Sequence, residues 1–142
     1  MAITQSVPTS FKQELMQALH NFNTAGGHTF KVALYSNLAT LDSSTLIYTA
    51  SNEVVGPGYV AGGNTLTVTS PVTSGTTAYI DFDDTTWTAS TLSVRGAMIY
   101  NSSSGNRAVA ILDFGADKAS SAGNFTIVFP TPAAATAIIR VS

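Results

Sequence analysis

Charge is what this sequence has least of. Only 10% of its 142 residues are Asp, Glu, Lys or Arg, against about 25% in an average soluble domain. The six basic residues, Lys12, Lys31, Arg95, Arg107, Lys118 and Arg140, stand singly. Binding to a nucleic-acid backbone or an anionic membrane surface draws on clustered Lys and Arg, so neither partner is expected. Cysteine is absent, which removes thiol catalysis, thiolate metal sites and disulfide staples together. No stretch approaches the roughly 18 consecutive apolar residues of a membrane-spanning helix. Residues 1–8 carry neither a basic start nor an apolar run and do not read as a secretory signal.

What takes the place of charge is hydroxyl and glycine. Ser and Thr make up roughly a quarter of the chain, well above ordinary usage, and there are 11 Gly. Hydrophobic content is 44% and the formal net charge is -2. Ample apolar residues with little charge is the reverse of a disordered composition. The length suits one domain, residues 1–142, able to bury a core without staples.

One helix is legible, over residues 10–23, after an N-terminal arm at 1–9. Ser10 and Gln13 have capping-box spacing. Phe11, Leu15, Ala18, Leu19 and Phe22 recur at helical period, and Gly26 and Gly27 supply a stop. From residue 28 on, the pattern is β. Phe30, Val32 and Leu34 alternate along one strand, and further strand signals fall at 46–48, 66–68, 78–82, 92–94, 97–100, 107–114, 124–129 and 137–141. Residues 101–106 form a hairpin loop, 56–63 a glycine-punctuated loop, and Thr86-Trp87-Thr88 a short link. The expected fold is mainly β, an antiparallel sandwich or barrel-like sheet over 28–142 with the helix packed on it.

Candidate chemistry is sparse. Asp81, Asp83 and Asp84 could offer oxygen ligands to calcium. The full calcium-loop spacing is missing, however, and a strand end with Phe82 buried and the carboxylates solvated accounts for the pattern. Asp113 and Asp117 could do acid–base work, but Asp beside Gly115 more simply makes a turn. The loop at 56–63 misses the dinucleotide fingerprint and leads into a strand, not a helix. His20 and His28 have no metal-ligand spacing, and His20 near the helix C-terminus would suit the dipole if protonated. Trp87 and the tyrosines could line a sugar site or fill the core. No catalytic residue, metal or cofactor is assigned.

Six segments in order carry a resemblance. They are Phe30-Lys31-Val32-Ala33-Leu34-Tyr35; Asn52-Glu53-Val54-Val55-Gly56-Pro57-Gly58-Tyr59-Val60-Ala61-Gly62-Gly63; Asp81-Phe82-Asp83-Asp84-Thr85-Thr86-Trp87; Arg95-Gly96-Ala97-Met98-Ile99-Tyr100-Asn101; Ile111-Leu112-Asp113-Phe114-Gly115-Ala116-Asp117-Lys118; and Gly123-Asn124-Phe125-Thr126-Ile127-Val128-Phe129. The set, from the first helix to the C-terminus, resembles a family of small virion structural proteins of tailed bacteriophages. That resemblance implies a non-enzymatic part made in the host cytoplasm and carried in the virion. A head-decoration (cement) protein leads, with a tail or head-to-tail component, or a glycan-binding module of a tail fibre, as alternatives. The implied partners are the major capsid protein or tail proteins, and copies of the chain itself. Ile3, Val7, Val55, Tyr59 and Val60 are apolar residues outside regular elements, and are the expected interface. The same residues could instead cap the ends of the sandwich.

Overall fold

A computed structural model describes residues 2–130, 133, 135 and 137–141, with the Ser70 side chain left aside. The described chain is mainly β: one short helix, α1 (Thr9–Met16), then β1 (Phe30–Tyr35), β2 (Asn64–Thr65), β3 (Val68–Ser74), β4 (Thr77–Phe82), β5 (Thr85–Asn101), β6 (Arg107–Ile127) and β7 (Ile139–Val141). They form two antiparallel sheets, ordered β2-β1-β5-β6 and β3-β4-β7.

β1 explains the layering. Its alternation puts Phe30, Val32 and Leu34 on one face, where they meet Ile80, Phe82 and Ile139 of the smaller sheet together with Phe11 and Phe22. The other face is not solvated. Ala33 and Tyr35 are buried there beneath Ile3, Ala39 and Leu41, alongside Met98, Tyr100 and Ile111. The sheet is therefore covered on both sides, by a second sheet on one and by the N-terminal arm and the 36–53 segment on the other. The arm is held by backbone bonds to Leu41 and Ile111. Ile3 presses onto Gly96, where an added Cβ would lie 2.8 Å from Ile3 Cδ1.

The β5–β6 hairpin is the spine. Thr86-Trp87-Thr88 lies inside β5 and is not a link, and residues 113–118 and 124–127 lie inside β6. The register shows why short strands were expected. Gly96 faces Asp113 while Val94 faces Lys118, so Arg95 alone stands opposite residues 114–117. That bulge uses Gly115 at φ +79, a left-handed conformation natural to glycine. Asp113 Oδ1 closes it, accepting from the Gly115 N–H at 2.9 Å and from Arg95 Nε at 3.1 Å. These two bonds, the backbone one foremost, hold the Asp113 carboxyl below its ordinary range. Residues 137 and 138 precede β7, and most of the Ala/Pro-rich stretch at 131–136 lies outside the described residues.

The helix is half the length expected. Pro8 stands at its N-cap and no side chain caps it, so the Ser10–Gln13 box does not form. It stops well before Gly26. Ala18 adopts φ +58, and the Leu19 and Ala18 N–H groups bond to the Glu14 and Leu15 carbonyls at 3.1 and 3.3 Å. This is the double-bonded left-handed terminus usually made with glycine. Breaking the helix there turns His20 and Phe22 inward, Phe22 stacking on Phe30 at 4.4 Å. The break thus serves tertiary packing against the helical period of the sequence. An L-residue in this conformation costs about 1 kcal/mol. Ala18→Gly is therefore expected to raise stability by about 1 kcal/mol, read as a higher urea midpoint at unchanged slope. A lower midpoint would contradict the cap.

Candidate functional site

The most developed polar site surrounds Glu53. Its backbone bridges to Tyr35 at the end of β1, after a turn in which Asn52 takes φ +61. The side chain points inward and is buried. Glu53 Oε1 accepts from the Tyr48 hydroxyl at 2.5 Å. Oε2 accepts from the Tyr59 hydroxyl and from the Gly62 N–H, the latter at 2.7 Å. The Tyr59 oxygen accepts in turn from the Leu34 N–H at 3.0 Å. Tyr100 donates to the Gly62 carbonyl at 2.6 Å, and Tyr35 to the Thr49 carbonyl at 2.6 Å. Tyr48 and Tyr59 thus bond the carboxylate directly and Tyr100 bonds its partner Gly62, while Tyr35 ties down the neighbouring Thr49.

Chemically this is a clamp. Each carboxylate oxygen is occupied by a donor, and charge-assisted bonds of this kind are stronger than neutral ones. They offset the desolvation of a buried charge. What they hold is the glycine loop at 56–63. The loop fills the side of β5 that β1 leaves open, since β1 pairs only with residues 96–101. The Pro57 carbonyl accepts from the Thr91 N–H at 3.1 Å. A Cβ at Gly63 would lie 1.7 Å from the Val32 carbonyl oxygen, and one at Gly58 2.8 Å from Ser90 Cα. Absence of side chains, not phosphate binding, is the use of these glycines.

The expected interface residues divide. Val55 and Val60 are 95% and 77% exposed, both on this loop. Ile3 is a correction: at 6% exposure it is core. Val7 and Tyr59 are half-buried and pack against the main core, Tyr59 being tied down by Glu53 as well. Val7 and Tyr59 thus pad the main core, and Ile3 the cluster on the other face of the larger sheet.

The acidic trio also separates. Asp81 is wholly buried, with Oδ1 accepting its neighbour Phe82's N–H at 2.8 Å, while Asp83 and Asp84 are exposed. Desolvation pushes the Asp81 carboxyl above its ordinary value, with the Asp84 and Asp83 charges adding to the rise. Asp84 Oδ1 accepts from the Phe129 N–H at 2.8 Å. Phe82 is buried as expected, but the solvated Asp81–Asp83 face is not what forms. Among the described residues no three His, Asp or Glu side chains converge as metal ligands would. Trp87 is 3% exposed, with Tyr59 and Phe125 as ring neighbours, and presents no open face. His20 lies beyond the helix end and is buried, so its expected place against the helix dipole is also corrected.

Glu53 was not singled out by sequence reasoning. The available signal was its isolation: a lone acid beside Val54 and Val55, in a chain with only eight acids. Comparison with family models, curated proteins and solved structures finds no match in any of the three.

Two outcomes follow from the clamp. Glu53→Gln replaces an acceptor by a donor among three donors and is expected to cost about 3 kcal/mol, with Tyr48→Phe costing about 1 kcal/mol. Denaturant titration checks both, and equal small losses would contradict the clamp. Burial also pushes the four tyrosines up, with the Glu53 charge adding; Tyr100 reaches about 12. An unfolded tyrosine titrates near pH 10, about 10 being the ordinary value. The folded state therefore holds these protons more tightly. This stabilisation is complete below pH 10 and is lost as pH rises toward 12. Tyrosinate absorbance from the network should appear together with loss of near-ultraviolet dichroism. Ionisation of all four near pH 10 in an intact fold would contradict it.

Proposed function

We propose that the chain is a non-enzymatic structural protein of a bacteriophage virion, carried in many copies and covered by a capsid or tail partner or by its own copies. The single observation that carries the structural part of this reading is the pinned loop. Val55 and Val60 stand almost fully exposed on a segment fixed from below by Glu53 and packed glycine-to-backbone on β1 and β5. A rigid apolar projection loses little conformational entropy when a partner covers it.

Two further features support assembly. Beyond residue 115, β6 pairs only with β5 among the described residues, so one edge of the larger sheet carries no strand. The outward face of that region bears Thr86, Thr88, Thr91 and Ser93 on β5 and Ser121, Asn124 and Thr126 on β6. Neutral hydroxyls can be covered with less desolvation than charges. The phage assignment itself rests on the ordered motif set, with head decoration ahead of a tail or head-to-tail position. The glycan-module alternative gains no support from Trp87, whose ring is buried.

Val55→Ser with Val60→Ser should leave monomer stability within about 0.5 kcal/mol, as exposed substitutions do. The same pair should weaken association of the chain with its particle at least tenfold, read by co-sedimentation. Mass spectrometry of purified virions should find the polypeptide, and imaging of the intact particle should place its density over the capsid. Absence from the virion overturns the proposal, and density confined to the tail or one vertex overturns decoration.

A further inference from the structure

A second buried polar cluster joins the segment after α1 to the tip of the β5–β6 hairpin. Asn101, wholly buried at the end of β5, is its centre. Its Oδ1 accepts from the Ser103 N–H at 3.0 Å, which fixes the orientation of the amide. Its Nδ2 then faces two ring nitrogens, His20 Nδ1 at 3.0 Å and His28 Nδ1 at 2.9 Å. An amide nitrogen only donates, so both Nδ1 atoms must accept. His28 Nδ1 also accepts from the Asn21 N–H at 3.2 Å, and His20 Nε2 donates to Glu14 Oε1 at 2.9 Å. Every contact is satisfied when both imidazoles are neutral with the proton on Nε2.

We propose that Asn101, His20 and His28 form an acid-opened latch that holds residues 17–28 against the hairpin tip. A proton added to either ring lands on Nδ1 and sets N–H against N–H. The amide cannot turn to receive it, because turning would set its NH₂ against the Ser103 N–H and lose the bond to the second ring. The charged and titratable groups facing His20 are Glu14 from α1, Arg107 from β6 and His28 from the segment itself. Glu14 is shared, with Arg107 Nε 3.4 Å from its Oε2.

Burial holds the His20 imidazole below its ordinary value, against the opposing pull of Glu14. The folded state therefore binds this proton less readily than the unfolded one. The latch is at full strength above about pH 6.5 and weakens as pH falls below it. What it secures is Phe22, stacked on Phe30, and through Glu14 the seat of α1. Opening would uncover that apolar seat without breaking the β1–β5 ladder.

Amide hydrogen exchange of the full chain, corrected for intrinsic rates, tests this between pH 7.5 and 5.0. Protection at Asn21 and Ser103 should fall at least tenfold, while Val32 and Ile99 keep theirs. Long-range proton–nitrogen spectra at pH 7.5 should show Nε2–H on both rings. Asn101→Asp supplies an acceptor in place of the donor and should invert the dependence, with Asn21 and Ser103 better protected at pH 5.0. Unchanged protection, uniform loss across all four amides, or an Nδ1–H tautomer in the wild type would overturn the latch. So would an unaltered pH dependence in a folded Asn101→Asp protein.

Discussion

A buried carboxylate in a chain with almost no charge organises the rest of this molecule. Glu53 draws donors from three places: Tyr48 before it, Tyr59 in the following loop, and the backbone of Gly62 at the loop's far end. A carboxylate placed out of water must collect such donors or stay protonated. Collecting them forces residues 48–62 to close around one point. The loop so closed completes the open side of β5 and lies against Val32, so one local electrostatic demand sets a long-range packing arrangement.

The two outward valines follow from this closure. The loop approaches β1 and β5 so closely at Gly58 and Gly63 that no Cβ fits there, and it turns Tyr59 inward while Val55 and Val60 project outward. Elsewhere the exposed residues include many Ser and Thr, a few charged side chains such as Lys12 and Asp117, and further apolar ones such as Met16 and Val128. Scarce charge thus has a double sense: several of the few charges present pin the fold, at Glu53, at Arg95–Asp113 and at Glu14–Arg107. Much of the exterior carries neutral hydroxyls that another protein surface can cover at modest desolvation cost.

The mainly β fold with one N-terminal helix was legible because the alternating Phe30, Val32 and Leu34 of β1 mark its main-core face, although the other face is buried as well. The length of β5 and β6 was not. Gly115, Ala89 and Ala122 take left-handed conformations at bulges, and in sequence such residues look like strand ends. The helix was overread because Leu19 and Phe22 keep the helical period although the chain leaves the helix at Ala18. Apolar spacing records what is buried, not which backbone buries it. Of the candidate interface, Val55 and Val60 were legible as loop hydrophobes, whereas Ile3 was misread because its pocket is made by a glycine 93 positions away, Gly96. The Asn101 cluster was invisible for the same reason, its two histidine partners lying 81 and 73 positions away; the donors of Glu53 are near it in sequence, but the inward turn that gathers them rests on packing against β1 and β5.

The claim that Glu53 makes the loop part of the rigid core is tested most directly by native-state hydrogen exchange at the Gly62 amide under increasing denaturant. If the clamp holds, Gly62 exchanges only through global unfolding, with the same free energy and denaturant slope as Val32 in β1. Exchange of Gly62 through a low-energy, denaturant-independent opening, with Val32 still protected, would contradict it.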